Sequence, residues 1–325
     1  MPDSPVNLAF LGYGVVARAL HDLLVRHDIA FTITGVASRR IGWWANTSGL
    51  DPAAPSGKEC GDVHEWLAAS KADVVFEAIA LEPQTGQPAL DYLLTALEHG
   101  AHAISANKGP VVHGYRELTD LAARMGKKYR FESAVMDGAP VFSLVRECLP
   151  LAGLRGVRGV FTSTATIVLE AIEGGGSIAD GIAHAQQLGI AEADPSYDVD
   201  GWDSAVKLCA VANVLLDGDL RPDDVKRVGI RELDEAEIRR AGMGGSPYRL
   251  VGEVRRDDVG RLSARVGPMQ CERGTALAVG GTTLVTHLEA DMFPGGLTIA
   301  SHDPDTTTTA YGMFADFLMI GASQQ

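Results

Sequence analysis

"VNLAFLGYGVVARALHDLLVRH", Val6–His27, decides the first half of the fold. A strand-like apolar run ends near Leu11, a glycine turn follows, and apolar residues then recur at helical spacing. The turn reads Gly12-Tyr13-Gly14-Val15-Val16-Ala17, a GxGxxA pattern. Gly12 permits the tight bend, Gly14 lets the backbone approach a pyrophosphate, and Ala17 allows close helix–strand packing. The helix N-terminus at Val15 and Val16 favours the anion. Alone the pattern is weak, and a merely structural turn is its plain alternative. Between a strand and a helix it stands in the context that dinucleotide binding requires.

The same alternation continues outward. "FTITGVASRR" (Phe31–Arg40), "ADVVFEAIA" (Ala72–Ala80) and "GAHAISANKGPVV" (Gly100–Val112) are strand-like runs. Helical periods separate them, as at Leu90–His99. This predicts an α/β fold: a parallel sheet with helices on both faces, a Rossmann-type dinucleotide-binding domain over residues 1–140. From "GLRGVRGVFTSTATIVLEAI" (Gly153–Ile172) the pattern becomes less regular, and a second, α+β domain is expected over residues 141–305. "TTTTAYGMFADFLMIG" (Thr306–Gly321) predicts a closing helix. The segment 306–325 is expected to pack back on the first domain, with the threonine run as its cap.

Composition narrows the partners. The net charge of -14 argues against nucleic acid and against an anionic membrane surface. No apolar stretch reaches the ~18 residues of a membrane span. The start of the chain is acidic and does not resemble a signal peptide. Cys60, Cys148, Cys209 and Cys271 are widely spaced and form no CxxC pair, which points to a reducing cytoplasm and away from zinc. His184 is expected on a helix surface, and Trp43, Trp44 and Trp202 are expected to pack.

The second strand ends in Ser38-Arg39-Arg40, where an NAD enzyme often carries an acid for the ribose 2′-hydroxyl. Arginine forks suit a 2′-phosphate, so NADP is favoured, with NAD as the alternative. Two arginines covering a strand end is the bland reading.

"GIAEADPSYDVDGWDSAVKL", Gly189–Leu208, concentrates Glu192, Asp194, Asp198 and Asp200, then adds Asp203 and Lys207 one helical turn apart. A calcium loop aligned on this segment puts Lys207 where a bidentate acid is needed, so that reading fails. A solvated acidic loop with a surface salt bridge is the plain reading. The functional one explains more. Acids suit the ammonium group of a small zwitterion, and alcohol oxidation needs a proton acceptor and a cation at the developing alkoxide.

This segment also resembles the signature of homoserine dehydrogenases, G-[aromatic or Ile]-[small]-E-A-D-P-x-x-D-[VI]-x-G-x-D-[small]-x-x-K, without gaps. "GYGVVARAL", Glu77–Val112 with its ANKGP motif, and "FESAVMDGAPVFSL" (Phe131–Leu144) resemble further family segments in order. The resemblance covers residues 5 to 210 well and the remainder loosely. It implies a short form without an ACT domain that reduces L-aspartate 4-semialdehyde to L-homoserine, a step toward threonine and methionine. It implies that Thr164, Glu192, Asp198 and Asp203 hold the amino-alcohol. Lys207 would stand at the reacting oxygen and Lys108 between cofactor and substrate; which lysine moves the proton stays open. Ser105, Lys108 and Gly189 would join the cofactor set. Backbone oxygens of Glu132, Val135, Asp137 and Ala139 would take a sodium-type ion. A homodimer through the second domain is implied. Ser163 and "SHDPDTTTTAYG" depart from the family pattern. They motivate two alternatives: a paralogue acting on another amino-aldehyde or hydroxy acid, and a non-catalytic NADP-binding sensor, against which the two lysines speak.

Overall fold

The computed structural model describes residues 5–322. Residues up to Gly138 together with those from Asp305 onward form one compact unit, and Ala139–Pro304 form another. The fold is α/β, with a Rossmann-type unit and a second unit built on a mixed sheet.

The first unit carries β1 (Val6–Leu11), β2 (Phe31–Ser38), β3 (Gly42–Ala45), β4 (Lys58–Cys60), β5 (Val74–Glu77), β6 (His102–Ser105) and β7 (Tyr129–Arg130). They lie in the order β4-β3-β2-β1-β5-β6-β7. From β2 to β7 the pairing is parallel. The four strands expected from the sequence, β2, β1, β5 and β6, are thus all parallel; beyond β2 two further strands, which the sequence did not show, pair antiparallel. The reason is local. Ser38 pairs directly with Gly42, leaving room for a tight turn and none for a crossover helix. Arg39 and Arg40 therefore sit on a hairpin turn.

Successive residues of β1 face opposite sides of the sheet. Leu8 and Phe10 join Leu20, Leu24, Val36 and Phe76 in one apolar cluster; Ala9 and Leu11 join Trp66 and Val75 in the other. The helix Thr306–Ala322 completes the first cluster with Ala310, Met313, Phe314, Phe317 and Ile320. Residues 323–325, the end of the tail expected to pack here, lie outside the described residues. The cap of this helix is Asp305, and one member of the threonine run, Thr308, completes it: its hydroxyl oxygen accepts from the Asp305 nitrogen at 3.0 Å. Asp305 supplies the other half. Its Oδ1 accepts from the backbone nitrogens of Thr307 (2.7 Å) and Thr308 (3.0 Å). The hydroxyls of Thr308 and Thr309 also turn back and donate to the Asp305 carbonyl.

The second unit contains β8 (Leu154–Val160), β9 (Lys226–Arg227), β10 (Tyr248–Arg256), β11 (Leu262–Gln270), β12 (Leu284–Ala290) and β13 (Phe293–Ser301). Their order is β13-β12-β8-β10-β11-β9, antiparallel except for β9 with β11. The helices Ser163–Glu173 and Trp202–Leu215 pack in this unit. Gly252 on β10 lets Phe161 and Leu208 approach the sheet closely; a Cβ there would stand 3.0 Å from the Phe161 ring. Cross-strand ion pairs lace β8, β10, β11 and β12, among them Arg158–Glu289 (2.8 Å) and Arg265–Glu253 (2.6 Å).

Candidate active site

In the first unit the glycine turn closes β1 onto the helix Val15–Arg26. Gly12 has φ +85°, and a Cβ there would stand 2.6 Å from the Ala78 carbonyl oxygen. Gly14 is the helix N-cap, without a side-chain cap. A Cβ at Gly14 would meet nothing within 4 Å. The first helical N–H groups thus open onto free space, the arrangement a pyrophosphate needs. Val15 is exposed, Val16 half-buried and Ala17 packed in the core. The Tyr13 hydroxyl lies 2.5 Å from His21 Nδ1 and ties the turn to the helix. Burial, with Asp22 and Asp51 nearby, pushes this phenol up to about 12, so it stays neutral at physiological pH.

A cavity of about 870 Å³ opens on this turn, lined in part by Arg18, Arg39, Arg40, Trp43 and Glu82. Arg18 was missed in the sequence. It stands four residues after Gly14, one helical turn on, and that spacing was the available signal. Glu82 is the one acid among the described lining residues. Its carboxylate is already engaged, accepting from the backbone nitrogens of Gln84 and Thr85. Trp43 packs edge-on against Trp66 and Tyr92 while also lining the cavity, so packing and lining coexist.

Lys108 is half-buried at the start of the helix Lys108–Arg124. Asn107 caps that helix, its Oδ1 accepting from the Gly109 nitrogen at 3.0 Å. Ser105 does not line the cavity. It is fully buried, and its hydroxyl donates to Glu77. Glu77 was not singled out in the sequence, because a glutamate at the end of an apolar strand carries no visible signal of burial.

In the second unit the Asp203–Lys207 pair is buried, with side-chain exposures of 10% and 12%. The i,i+4 bridge expected on a surface helix under the plain reading is therefore an interior one. Lys207 Nζ lies 3.0 Å from Asp203 Oδ2 and donates to the Phe161 carbonyl at 2.7 Å. Two residues beyond Phe161 the helix Ser163–Glu173 begins. Thr164 in its first turn donates to Asp198 Oδ2 at 2.7 Å. The Phe161–Thr164 turn thus gathers Lys207, Asp203, Thr164 and Asp198 in one place.

The remaining acids of the segment have other partners or lie exposed. Asp200 binds Arg231 at 2.6 Å. Asp194 accepts from Ser196, bonds that hold its carboxyl below the usual range. Glu192 is exposed on the loop, its backbone carbonyl taken by Gln186. Gly189, at φ +72°, ends the helix Ile178–Gln187, its nitrogen donating to the Gln186 carbonyl at 2.9 Å. Trp202 stacks under the Arg227 guanidinium at 3.7 Å.

Glu132 and Val135 are buried in the first unit, and the Glu132 nitrogen donates to Asp316 at 2.8 Å. Asp137 adopts the left-handed conformation, at φ +48°. Ala139 begins the second unit. Among the described residues no group of three or more His, Cys, Asp or Glu is placed to hold a metal ion, and no helix is long and apolar enough to cross a membrane.

An open glycine turn in a Rossmann unit, accompanied by a unit with a half-buried lysine among carboxylates, fits the class of two-domain nicotinamide-dependent oxidoreductases that act on a CH–OH group. Residues 12–132 match the profile of the homoserine dehydrogenase NAD-binding domain, and residues 140–318 match that of homoserine dehydrogenase. The chain belongs to the homoserine dehydrogenase family. It is 32% identical to an NAD(+)-dependent homoserine dehydrogenase of Pseudomonas canavaninivorans, covering 98% of this chain and 96% of that protein. A protein of known crystal structure from Archaeoglobus fulgidus is 26% identical, with a TM-score of 0.85 over 97% of this chain and 99% of the other. A hyperthermophilic archaeal homoserine dehydrogenase mutant solved with NADPH shares the fold, with a TM-score of 0.81 at 24% identity over 98% of each chain.

Proposed function

We propose that the protein interconverts L-homoserine and L-aspartate 4-semialdehyde by hydride transfer and prefers NADP over NAD. The observation that carries the reading is the group around the Phe161–Thr164 turn, in which Asp203 and Thr164 are buried and Lys207 and Asp198 half-buried. When bound, the dinucleotide supplies the hydride acceptor or donor. Asp198 and Asp203 suit an ammonium group, and the Thr164 hydroxyl orients the Asp198 carboxylate. Lys207 stands for the cation that steadies the alkoxide and exchanges its proton. Lys108, on the dinucleotide-binding unit, is the second candidate for that transfer. The direct test is purified protein with homoserine and either dinucleotide, followed by nicotinamide absorbance. Equal turnover of an analogue lacking the amine would favour the paralogue acting on another hydroxy acid.

Three arginines around the cavity, with its one acid internally engaged, support the NADP preference. The Pseudomonas canavaninivorans relative, named for NAD, supports the opposite reading. Replacing Arg39 and Arg40 together by alanine is expected to weaken NADP by ~5- to 150-fold, the worth of about 1–3 kcal/mol of charge-assisted hydrogen bonds. NAD should be nearly unaffected. Parallel losses for both dinucleotides, measured by titration, would remove these arginines from phosphate recognition.

The reading includes a homodimer in the cytoplasm, which light scattering on purified protein tests for its assembly. It includes a monovalent cation on backbone oxygens of the 132–139 segment. Activity unchanged on replacing sodium and potassium by choline would dismiss the cation.

A further inference from the structure

We propose that Glu77 is a positioning residue for Lys108, holding through a buried hydrogen-bonded clamp the turn from which that lysine emerges. The inference rests on the dehydrogenase reading, in which Lys108 acts at the reacting groups.

Glu77 ends β5, an interior strand of the sheet, with no solvent exposure. A carboxyl group is expensive to bury, and an apolar residue would fill the same position at lower cost. Here three donors converge on it. Oε1 accepts from the Ile79 nitrogen at 2.9 Å and from Asn107 Nδ2 at 3.3 Å. Oε2 accepts from the Ser105 hydroxyl. The Ser105 oxygen in turn accepts from the Asn107 nitrogen at 3.0 Å. Burial pushes the Glu77 carboxyl above its ordinary range, while the bonds from Ser105, Ile79 and Asn107 pull the other way.

The geometry reaches Lys108 through Asn107. The Asn107 amide is held at both ends, its nitrogen by Glu77 and its oxygen by the Gly109 backbone. Turning the amide over would break both bonds. The residues on either side of Lys108 are therefore fixed by one buried network. The same carboxyl also holds Ile79, which lines the dinucleotide cavity. One group thus joins the cavity wall to the lysine. A purely structural role would explain the bonds equally well, but it does not predict a dependence on Lys108.

A double-mutant cycle in the full-length protein separates the two. Glu77→Leu is expected to lower kcat by ~10- to 100-fold, the scale of a catalytic group displaced by about an ångström. The homoserine KM and the dinucleotide Kd should move far less. Glu77→Gln should keep most of kcat, because its amide oxygen can still accept from Ile79 and Asn107 while its NH2 donates to Ser105. In a Lys108→Ala background the Glu77→Leu loss should nearly vanish, since residues acting as a unit are not additive. The same fold loss with and without Lys108, or full kcat in Glu77→Leu, overturns the proposal. If Glu77→Leu does not fold, Ser105→Ala, which removes one arm of the clamp, takes its place in the cycle under the same criteria. Should the wild type fail to oxidise homoserine, the functional reading fails on its own. The clamp is then tested in the ligand-free protein by 13C-methylated lysine NMR. Its Lys108 signal should move with Glu77→Leu, or with Ser105→Ala if that variant does not fold, while that of Lys207 stays; an unmoved Lys108 signal overturns it.

Discussion

Lys207→Ala is expected to cut turnover by ~10²–10⁴-fold, the usual range for general acid–base catalysis. The side chain is almost fully enclosed, bound by the Asp203 carboxylate and the Phe161 carbonyl. Its removal also leaves Asp203 buried without its cation, so stability should fall in the same variant. Dinucleotide affinity should barely change, because the glycine turn and its cavity belong to the other unit. Lys207→Arg should restore little, since a guanidinium does not release its proton near neutral pH. Steady-state kinetics, a binding titration and thermal unfolding together check all four points. If Lys207→Ala keeps most of its turnover while Lys108→Ala loses it, the proton transfer belongs to Lys108. Full turnover in both variants would remove both lysines from the chemistry.

Gly12→Ala and Gly14→Ala should differ in kind. At Gly12 a methyl would press on the Ala78 carbonyl in a left-handed backbone. Overpacking of ~1–3 kcal/mol plus about 1 kcal/mol of conformational strain should unfold the variant several degrees earlier and weaken dinucleotide binding as well. At Gly14 the methyl would enter open space, and φ is -87°. The melting temperature should hold, while dinucleotide affinity should fall by ~10-fold or more, because the methyl occupies the approach to the helix N-terminus. Thermal unfolding alongside cofactor titration separates them. A Gly14→Ala variant that melts early yet binds normally would mean that the open space is not where the pyrophosphate lies.

The GxGxxA turn was legible because its chemistry is local: strand, bend and helix follow within a dozen residues. Asp203 and Lys207 were legible for the same reason, one helical turn apart, although their burial was not. What the sequence hid depends on distant partners. Asp200 looked like one more acid of the cluster until Arg231, well downstream, took it. Glu77 meets Ser105 and Asn107 only because β5 and β6 lie side by side. The β3–β4 pair was too short to show a period, at four and three residues. The N-terminal cap of the last helix was placed one residue late: Asp305 accepts from the helix nitrogens, and of the threonine run only Thr308 shares in the cap.

The helix Thr306–Ala322 has a consequence for how the protein is made. The unit it completes is otherwise finished by Gly138, and the whole of Ala139–Pro304 is synthesised in between. At about 5–20 residues per second, the ribosome takes on the order of ten seconds or more to cross that insertion. Throughout that interval Leu20, Leu24 and Phe76 lack the apolar cover that Phe314 and Phe317 later provide. The inserted unit, by contrast, contains all of its own strands and can fold as soon as it emerges. The later-starting half is therefore expected to reach its native state first on the ribosome, with the earlier half waiting as a chaperone client until the last helix arrives.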